Sequence, residues 1–437
     1  MSTRVRILYG RTGMTISVPD TVTILEGDSI EGLADSAAAL RAALAEPIGA
    51  APLPELLAHR RPASVAVTIS DITRPVPNEV IVTGLMEQLH QAGISDEQAV
   101  VIIGTGMHRP STPQERIELL GTELLGRLEV IDHLAEDATT LVQVRDDPPV
   151  SINRRFVEAD FRIVTGLIEP HFMAGYSGGR KGVCPGLADA ATVRRFHSFP
   201  IMADPRSTTG RLEGNPCHEE SLRVAHTVGV DFLVNVAIDR QRRPAAFFCG
   251  DMEAAHLAGA ERVGQWTSAR VDAPYDLIIT NGGGYPLDQT FYQTVKGMVT
   301  PLLAMHEQTI VLVASDCGEG IGSEPYTRTM LQWGRNWKGF LNHISSTDEV
   351  EKDQWQYQMH TRTLERIGVD RLRFVTDGLE PDLQSKLGVN PVLGQGDAAA
   401  RCQVFVDTFA AENPDARIAV IPEGPYTMIT EELRVGA

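Results

Sequence analysis

The chain alternates short apolar runs with stretches of helical periodicity, and this alternation limits the folds open to it. The apolar runs are four to six residues long, which suits strands buried on both faces of a sheet. Strand–helix alternation of this kind is typical of α/β proteins with substantially parallel sheets. The predicted strands are residues 65–69, 99–103, 161–164, 232–237, 277–280, 310–314 and 418–421.

Helical periodicity is clearest at residues 80–90 and 254–266, and a Thr-Pro-Gln-Glu sequence at 112–115 predicts a capping box that opens another helix. A length of 437 residues suits two domains. Residues 271–276 resemble a linker into a new strand–loop–helix unit. We therefore expect an N-terminal α/β domain over residues 1–270 and a C-terminal α/β domain over 274–398. Residues 400–437 are expected to pack back on the first domain.

The amino-acid composition limits the kinds of molecule that the protein is expected to bind. The formal net charge is −18, and a surface with that balance is poorly suited to nucleic-acid phosphates. An anionic small molecule would need positive charge supplied locally by its site. The sequence shows no apolar run of membrane-spanning length, and residues 1–20 lack the apolar region of a signal peptide. The five scattered cysteines indicate reduced thiols, and the expected location is the cytoplasm.

Polar residues directly follow several predicted strands. They occupy residues 70–75 (S-D-I-T-R-P), 104–109 (G-T-G-M-H-R), 169–171 (E-P-H) and 281–284 (N-G-G-G). Ligands of parallel α/β sheets bind beyond the carboxyl ends of the strands, so these residues are expected to form the site. The glycines at 104 and 106 do not complete a dinucleotide-binding fingerprint, and the loop at 281–284 lacks the lysine of a P-loop.

Two adjacent glycines, Gly178 and Gly179, precede Arg180 and Lys181. Glycine lets a backbone approach a ligand closely and present N–H groups to an anion, and the two cations suit a phosphate. A solvated turn with two surface cations is the alternative. The surrounding histidines favour the ligand-binding interpretation: one precedes the turn, and His197 lies on or just after a short helix at residues 190–196.

His108 and His171 each follow a predicted strand. Either histidine alone is more often a hydrogen-bonded structural residue than a catalytic one. Together they suggest an acid/base pair that reaches opposite sides of one ligand, as a racemase requires.

A predicted helix after residue 288 places Tyr292, Gln293 and Lys296 on one face, because residues three and four apart are neighbours there. A phenol, an amide and a lysine suit a carboxylate, although a solvated helix face has the same pattern. Arg74 is the natural second carboxylate partner, with bidentate geometry. Asp71 is expected either to pair with Arg74 or to orient His108.

This constellation resembles the nickel-pincer-nucleotide lactate racemases and their homologues, and the resemblance spans most of the chain. It rests on S-D-x-T-R-P at 70–75, G-T-G-M-H at 104–108, His171, Lys181 and His197 with the spacing H-x9-K-x15-H, Y-Q-x-V-K at 292–296, and Trp355. The order and spacing of these matches are more specific than any one of them.

The resemblance implies a fold of two α/β domains with the active site in the cleft between them. It implies that Lys181 bears a covalently attached pyridinium nucleotide through a thioamide, that His197 is the one protein ligand of its nickel, and that His108 and His171 alternate as general base and acid. Arg74, Lys296, Tyr292 and Gln293 correspond to the substrate-binding set, Trp355 to a wall of the pocket, and Asp71 to a supporting residue. Proteins that make the cofactor are then needed for maturation.

The implied reaction is racemisation or epimerisation of a 2-hydroxyacid by hydride transfer, because the α-proton of a hydroxyacid carboxylate is a very weak acid. A lactate-like substrate is favoured. A larger acid such as malate, phenyllactate or a sugar acid remains open, as does a protein that carries the nickel nucleotide without turnover. The histidine pair argues against a carrier, which needs neither residue.

Overall fold

The computed structural model describes residues 2–431, which form two six-stranded sheets with helices packed on their faces. The strands are β1 (Ser2–Ile7), β2 (Met14–Pro19), β3 (Thr23–Ile24), β4 (Val65–Ser70), β5 (Ala99–Gly104), β6 (Glu129–Asp132), β7 (Leu141–Asp146), β8 (Pro149–Asn153), β9 (Phe161–Leu167), β10 (Pro170–His171), β11 (Gly175–Tyr176), β12 (Phe232–Ile238), β13 (Pro244–Gly250), β14 (Ser268–Val271), β15 (Tyr275–Asn281), β16 (Met305–Ala314), β17 (Leu372–Val375), β18 (Asn390–Pro391), β19 (Ile418–Val420) and β20 (Met428–Glu431).

The α-helices are α1 (Ser36–Ala45), α2 (Leu53–Arg60), α3 (Asn78–Gln91), α4 (Pro113–Arg127), α5 (Arg154–Val157), α6 (Ala190–Phe196), α7 (Phe199–Ala203), α8 (Pro216–Val228), α9 (Met252–Thr267), α10 (Phe291–Val299), α11 (Glu324–Trp333), α12 (Trp337–Ser345), α13 (Gln354–Ile367), α14 (Pro381–Gln384) and α15 (Ala398–Glu412). The predicted capping box opens α4: Thr112 accepts from the backbone of Glu115, and the Glu115 side chain accepts from Thr112. Among residues 2–431, none of the helices is both long and apolar enough to cross a membrane.

The first sheet has the order β13-β12-β9-β4-β5-β6, and its strands are parallel apart from β13. The second sheet, β18-β17-β16-β15-β19-β3, is parallel throughout. These orders confirm the predicted α/β class with substantially parallel sheets. They also explain why the apolar runs lack polar alternation, since both faces of the central strands are covered.

The two sheets share one hydrophobic core. Along β4, Val65 and Val67 pack on the outer layer with α3, whereas Ala66 points into a cluster that extends to Ile278 and Val311 of the second sheet. Successive strand residues face opposite sides, so one strand serves both layers. This common core holds the carboxyl ends of both sheets beside one cleft.

The sequence-based placement of the chain ends needs correction. Strand β19 pairs with β15 and β3 inside the second sheet, and helix α15 packs on that sheet through Cys402 and Val406. Strand β3 also belongs to the second sheet, so residues 1–270 are not one unit. The reason is that a buried parallel strand needs neighbours on both sides, and β19 finds them there. Only β20 returns to β14, and the final residues of the predicted 400–437 segment, 432–437, lie outside the described residues.

Candidate active site

A cleft of about 710 Å³ lies where strands of both sheets end, and it collects most of the residues that the sequence singled out. Its lining draws on the loops after β4, β5 and β9, on the 3₁₀ turn Gly179–Gly182 and on helices α10 and α13. The predicted residues that line it are Asp71, Arg74, His108, His171, Gly178, Lys181, His197, Tyr292, Gln293, Lys296 and Trp355.

Asp71 orients His108. The Asp71 carboxylate follows β4 directly, and its Oδ2 lies 2.6 Å from His108 Nδ1. Its other oxygen, Oδ1, accepts from the Thr73 hydroxyl at 2.5 Å and the Thr73 N–H at 3.2 Å. A carboxylate partner fixes the proton on Nδ1 and leaves the Nε2 lone pair of His108 free. Of the two partners that the sequence left open for Asp71, the hydrogen bond is to His108.

The proton affinity of His108 follows from this contact. Desolvation in the cleft opposes the imidazolium, but the hydrogen bond and charge of Asp71 outweigh it and raise the pKa of His108. The same bond lowers the pKa of Asp71 against a desolvation effect that would raise it. The pair is therefore built to accept a proton at Nε2.

His171 has the opposite arrangement. It is 7% exposed, and its Nδ1 faces the backbone N–H groups of Met173 (3.4 Å) and Ala174 (3.2 Å). An acceptor at Nδ1 places the proton of the neutral ring on Nε2. Nε2 lies 3.1 Å from Lys181 Nζ. Burial, followed by the charge of Lys181, lowers the pKa of His171 well below its usual value.

Lys181 extends into the cleft from the turn that follows Gly178. Gly178 has φ +76°, and a Cβ there would lie 2.8 Å from Asn235 Oδ1, so a residue without a side chain is required. Burial is the main cause that lowers the pKa of Lys181 well below its usual value, and Arg74 adds to it. A partly buried, weakly basic amine is a good nucleophile at neutral pH.

Two predicted anion-binding residues do not face the cleft. Arg180 is 1% exposed, and its guanidinium donates to His256 Nε2 and to the Ala174 carbonyl oxygen, both at 2.8 Å. The Gly179 N–H donates to Asn235 Oδ1 at 2.9 Å and is thus not available to a ligand. In the tight 3₁₀ turn, adjacent side chains point in different directions, so Lys181 faces the cleft while Arg180 enters the core. In this structure Gly179 and Arg180 are thus engaged within the protein, and their predicted contact with a phosphate stays a prediction.

His197 presents one free ring nitrogen. It ends helix α6, and its Nδ1 lies 2.8 Å from the Val193 carbonyl oxygen, so Nδ1 carries the proton and Nε2 has the lone pair. Its ring stacks on Trp355 with centroids 4.4 Å apart. Burial lowers the pKa of His197 to about 3, so protons do not compete for Nε2 at neutral pH. Fixing Nδ1 on a carbonyl is the usual way to prepare a metal-binding imidazole.

Within residues 2–431, no three His, Cys, Asp or Glu side chains are grouped to hold a metal ion. A metal at His197 would therefore take most of its donors from a non-protein group. A bound organic ligand attached through the Lys181 amine and carrying such donors fits these residues: the cleft is large, the amine is nucleophilic and one imidazole nitrogen is free.

Arg74 and Lys296 provide positive charge near the histidines. Arg74 forms an ion pair with Glu169, a residue that sequence reasoning noticed after β9 but gave no role. Burial and then Arg74 lower the pKa of Lys296 to about 7, against opposing effects of Glu169 and Asp71. A carboxylate ligand would restore charge balance among these groups.

The aromatic side of the cleft comes from α10 and α13. Trp355 Nε1 donates to the Tyr292 hydroxyl at 3.2 Å. Gln293 Oε1 is buried and has no hydrogen-bond partner among residues 2–431. A buried amide oxygen without a partner is costly, so it is poised to accept from a ligand.

Sequence reasoning missed Asp353. This residue precedes α13 with φ +68° and accepts from the Ser323 hydroxyl at 2.5 Å. After burial, its charge is the next cause of the raised pKa of Tyr292, and it also raises the pKa of His108. Its position in a loop between two helices left no periodic pattern that would have identified it.

The chain is similar to proteins of known family over most of its length. Residues 9–210 match the lactate racemase N-terminal domain and residues 271–429 the lactate racemase C-terminal domain. It is 30% identical to a lactate racemase of Thermoanaerobacterium thermosaccharolyticum, covering 98% of this chain and 99% of that protein. A lactate racemase of Lactiplantibacillus plantarum is 32% identical, with 87% and 88% covered.

Solved structures give the same result. The lactate racemase apoprotein from Thermoanaerobacterium thermosaccharolyticum superposes with a TM-score of 0.88 at 29% identity, covering 98% of this chain and 100% of that one. A Thermotoga maritima protein with a TM-score of 0.63 and 16% identity, covering 87% and 98%, shares the fold. The chain belongs to the lactate racemase family.

Proposed function

We propose that this protein is an isomerase that racemises or epimerises a 2-hydroxyacid, with a lactate-like substrate favoured, and that it uses a nickel-pincer nucleotide attached at Lys181. The observation that carries the proposal is the pair of histidines with opposite resting tautomers in one cleft. His108 has a lone pair at Nε2, and His171 has a proton there.

Lys181 would hold the nucleotide and His197 Nε2 would bind its nickel, as the family resemblance implies. When bound, this group supplies reversible acceptance of the α-hydrogen together with its electron pair. Imidazole nitrogen is a donor that suits nickel, and His197 would supply it.

The protein residues bind the substrate and move its hydroxyl proton. Arg74 and Lys296 bind the carboxylate, and Gln293 Oε1 accepts a hydrogen bond from the substrate. His108 takes the hydroxyl proton at Nε2 while Asp71 stabilises the imidazolium. The resulting 2-oxoacid turns within the cleft, and His171 then protonates its oxygen on the other side. For this step the His171 ring must first take up a second proton from solvent, at Nδ1, so that giving up the Nε2 proton leaves a neutral imidazole. The histidines exchange roles for the opposite enantiomer.

Other substrates are compatible with the same machinery. The cleft continues beside Trp355 to Ser323, Lys352 and Asp353, whose polar groups suit a substituent with hydroxyl groups. A sugar acid therefore deserves the same assay as lactate, malate and phenyllactate. A carrier that binds the nucleotide without turnover has no need for the Asp71–His108 hydrogen bond, and this contact favours an enzyme.

The test is to produce the full chain together with the cofactor-making proteins, then measure intact mass, nickel content and racemisation. We expect a mass increment on the Lys181 peptide, nickel bound in proportion to it, and loss of optical activity from one enantiomer. Lys181→Ala should lack the increment, and His197→Ala should hold nickel weakly. A loaded, nickel-containing protein that racemises none of the four acid classes would contradict the proposal.

A further inference from the structure

The contacts of His171 favour the uncharged form of the Lys181 amine. His171 Nδ1 accepts from two backbone N–H groups, at 3.2 and 3.4 Å, and its remaining proton lies on Nε2. That Nε2–H points to Lys181 Nζ at 3.1 Å. An ammonium group has no lone pair and cannot accept this hydrogen bond, whereas a neutral amine can.

The charges around Lys181 act in the same direction. Arg74, Arg180 and Lys296 are the cations whose charges disfavour a protonated Lys181. No carboxylate within the described chain forms an ion pair with Lys181, and Glu169 is paired with Arg74. Desolvation and neighbouring cations are the two means by which proteins activate a lysine as a nucleophile.

The same cleft is suited to a carbonyl compound with a carboxylate. Arg74 and Lys296 line it together with Lys181, and His171 Nε2–H is positioned at the amine. A 2-oxoacid carries its electrophilic carbon next to its carboxylate. If the cations bind the carboxylate, the carbonyl carbon is brought toward the amine.

We propose that Lys181, in the chain that lacks the nucleotide, forms a reversible imine with a 2-oxoacid whose carboxylate is bound by Arg74 and Lys296. The proposal rests on the proposed function only in using the same carboxylate-binding pair. Before the nucleotide is attached, the Lys181 amine would thus react with a second kind of molecule. The 2-oxoacid would compete with the nucleotide for this amine.

The reaction balances without an oxidant or reductant. The Nζ lone pair forms a bond to the carbonyl carbon while the C=O π-bond breaks, and its electron pair moves to the oxygen, which stays attached by a single bond. His171 Nε2–H donates a hydrogen bond to the oxygen as negative charge develops on it. The two amine hydrogens leave with that oxygen as water, and a C=N bond remains. Hydrolysis reverses each step and frees Lys181.

The test uses the full chain produced without the cofactor-making proteins, with pyruvate as the probe and cyanoborohydride to reduce the imine to a stable secondary amine. The chain has five lysines, at 181, 296, 338, 352 and 386, so peptide mapping resolves each one. Lys338 and Lys386 are exposed and serve as internal controls. We expect Lys181 to be modified at least ~10 times faster than either control, because a neutral amine reacts and an ammonium does not.

A comparison with acetaldehyde, which has no carboxylate, tests the binding pair. Arg74→Ala should slow modification by pyruvate at least ~10-fold more than modification by acetaldehyde, the scale of a lost charge-assisted contact. Loss of the Arg74 charge, which helps to keep Lys181 neutral, slows both probes alike, whereas loss of the carboxylate contact slows pyruvate alone. Lys181→Met should abolish both, with thermal unfolding as the check on its fold. The mapping of the unsubstituted chain decides the point even if that variant misfolds.

Equal modification of all lysines, or preferential modification of Lys296, would overturn the proposal. If Arg74→Ala slowed both probes equally, the role of the carboxylate-binding pair would be wrong. None of these measurements involves nickel or racemisation. A failure of the proposed isomerase activity would therefore leave the labelling result standing, and the reverse also holds.

Discussion

Replacing Asp71 by asparagine should reverse the tautomer of His108. Asp71 Oδ1 accepts from both the hydroxyl and the N–H of Thr73, at 2.5 and 3.2 Å. In Asp71→Asn these two donors hold the amide oxygen in place and turn the amide NH2 toward His108 Nδ1. The ring must then accept at Nδ1 and carry its proton on Nε2, so it can no longer take a proton from the substrate.

The expected magnitude follows from the loss of a positioned base. Turnover should fall by ~10²–10⁴, which is ~2.7–5.4 kcal/mol in activation free energy. The pKa of His108 should fall, because desolvation remains while the hydrogen bond and charge that raise it are gone. The His108 side chain is 52% exposed, so the contact should contribute little to folding stability and the effect should appear in kinetics.

The assay combines racemisation kinetics of the loaded protein with nitrogen-15 NMR of the His108 ring in the chain without cofactor. Thr73→Val is the matched control, since it keeps the carboxylate and should retain the Nδ1–H tautomer. Adding Thr73→Val to Asp71→Asn should partly rescue turnover, because the amide loses its strongest anchor and can rotate. An unchanged tautomer and pKa in Asp71→Asn would refute the assigned geometry.

Three further outcomes are expected. Arg74→Ala should cost ~2–3 kcal/mol or more in kcat/KM, since it removes the carboxylate-binding cation and also leaves Glu169 unpaired. Glu169→Gln keeps the cation and should cost less, and equal losses would contradict this. Product formed in D2O should keep its original α-hydrogen by mass spectrometry, whereas solvent deuterium at the α-carbon would show that a histidine attacks carbon. Burial lowers the pKa of His360 in the folded chain to about 3, so below the unfolded pKa of ~6.5 the unfolded chain binds a proton that the folded chain does not. The destabilisation of the folded state by His360 is therefore absent above pH ~6.5. It grows by ~1.4 kcal/mol per pH unit as the pH falls toward the folded pKa. Urea unfolding at pH 7 and pH 5 should show that the free energy of unfolding falls less between these pH values in His360→Leu than in the parent chain. An identical fall in both proteins would refute the argument.

Sequence predicted the strands and the site residues that follow them, because both depend on local pattern. A buried parallel strand appears in the sequence as a continuous apolar run, and ligands of such sheets bind at the carboxyl ends of the strands. Asp71, His108 and His171 were identified because they follow such runs. The order of strands within a sheet depends on partners far away in sequence. For that reason the placement of Ile418–Val420 was wrong.

Features of the site that sequence could not resolve have the same origin at a smaller scale. Arg180 and Lys181 are adjacent and chemically similar, yet one enters the core and the other the cleft, since the direction of a side chain in a 3₁₀ turn is set by its packing. Asp353 has no pattern around it and becomes visible only when α13 is packed beside α10. Glu169 could have been assigned as the partner of Arg74, because both follow neighbouring strands of one sheet.

The pairing of β19 between β15 and β3 has a consequence for biosynthesis. Strand β3 comes from the first 24 residues, but its neighbour in the sheet is not synthesised until residues 418–420. During translation, β3 has no neighbouring strand to pair with until β19 is made. The second sheet can therefore be completed only after almost the whole chain has left the ribosome. The first sheet, whose strands lie within residues 65–250, has no such delay. Helices α10 and α13 pack on β15 and β16 of the second sheet, so we expect the cleft beside Lys181 to be complete only after synthesis of the chain has ended.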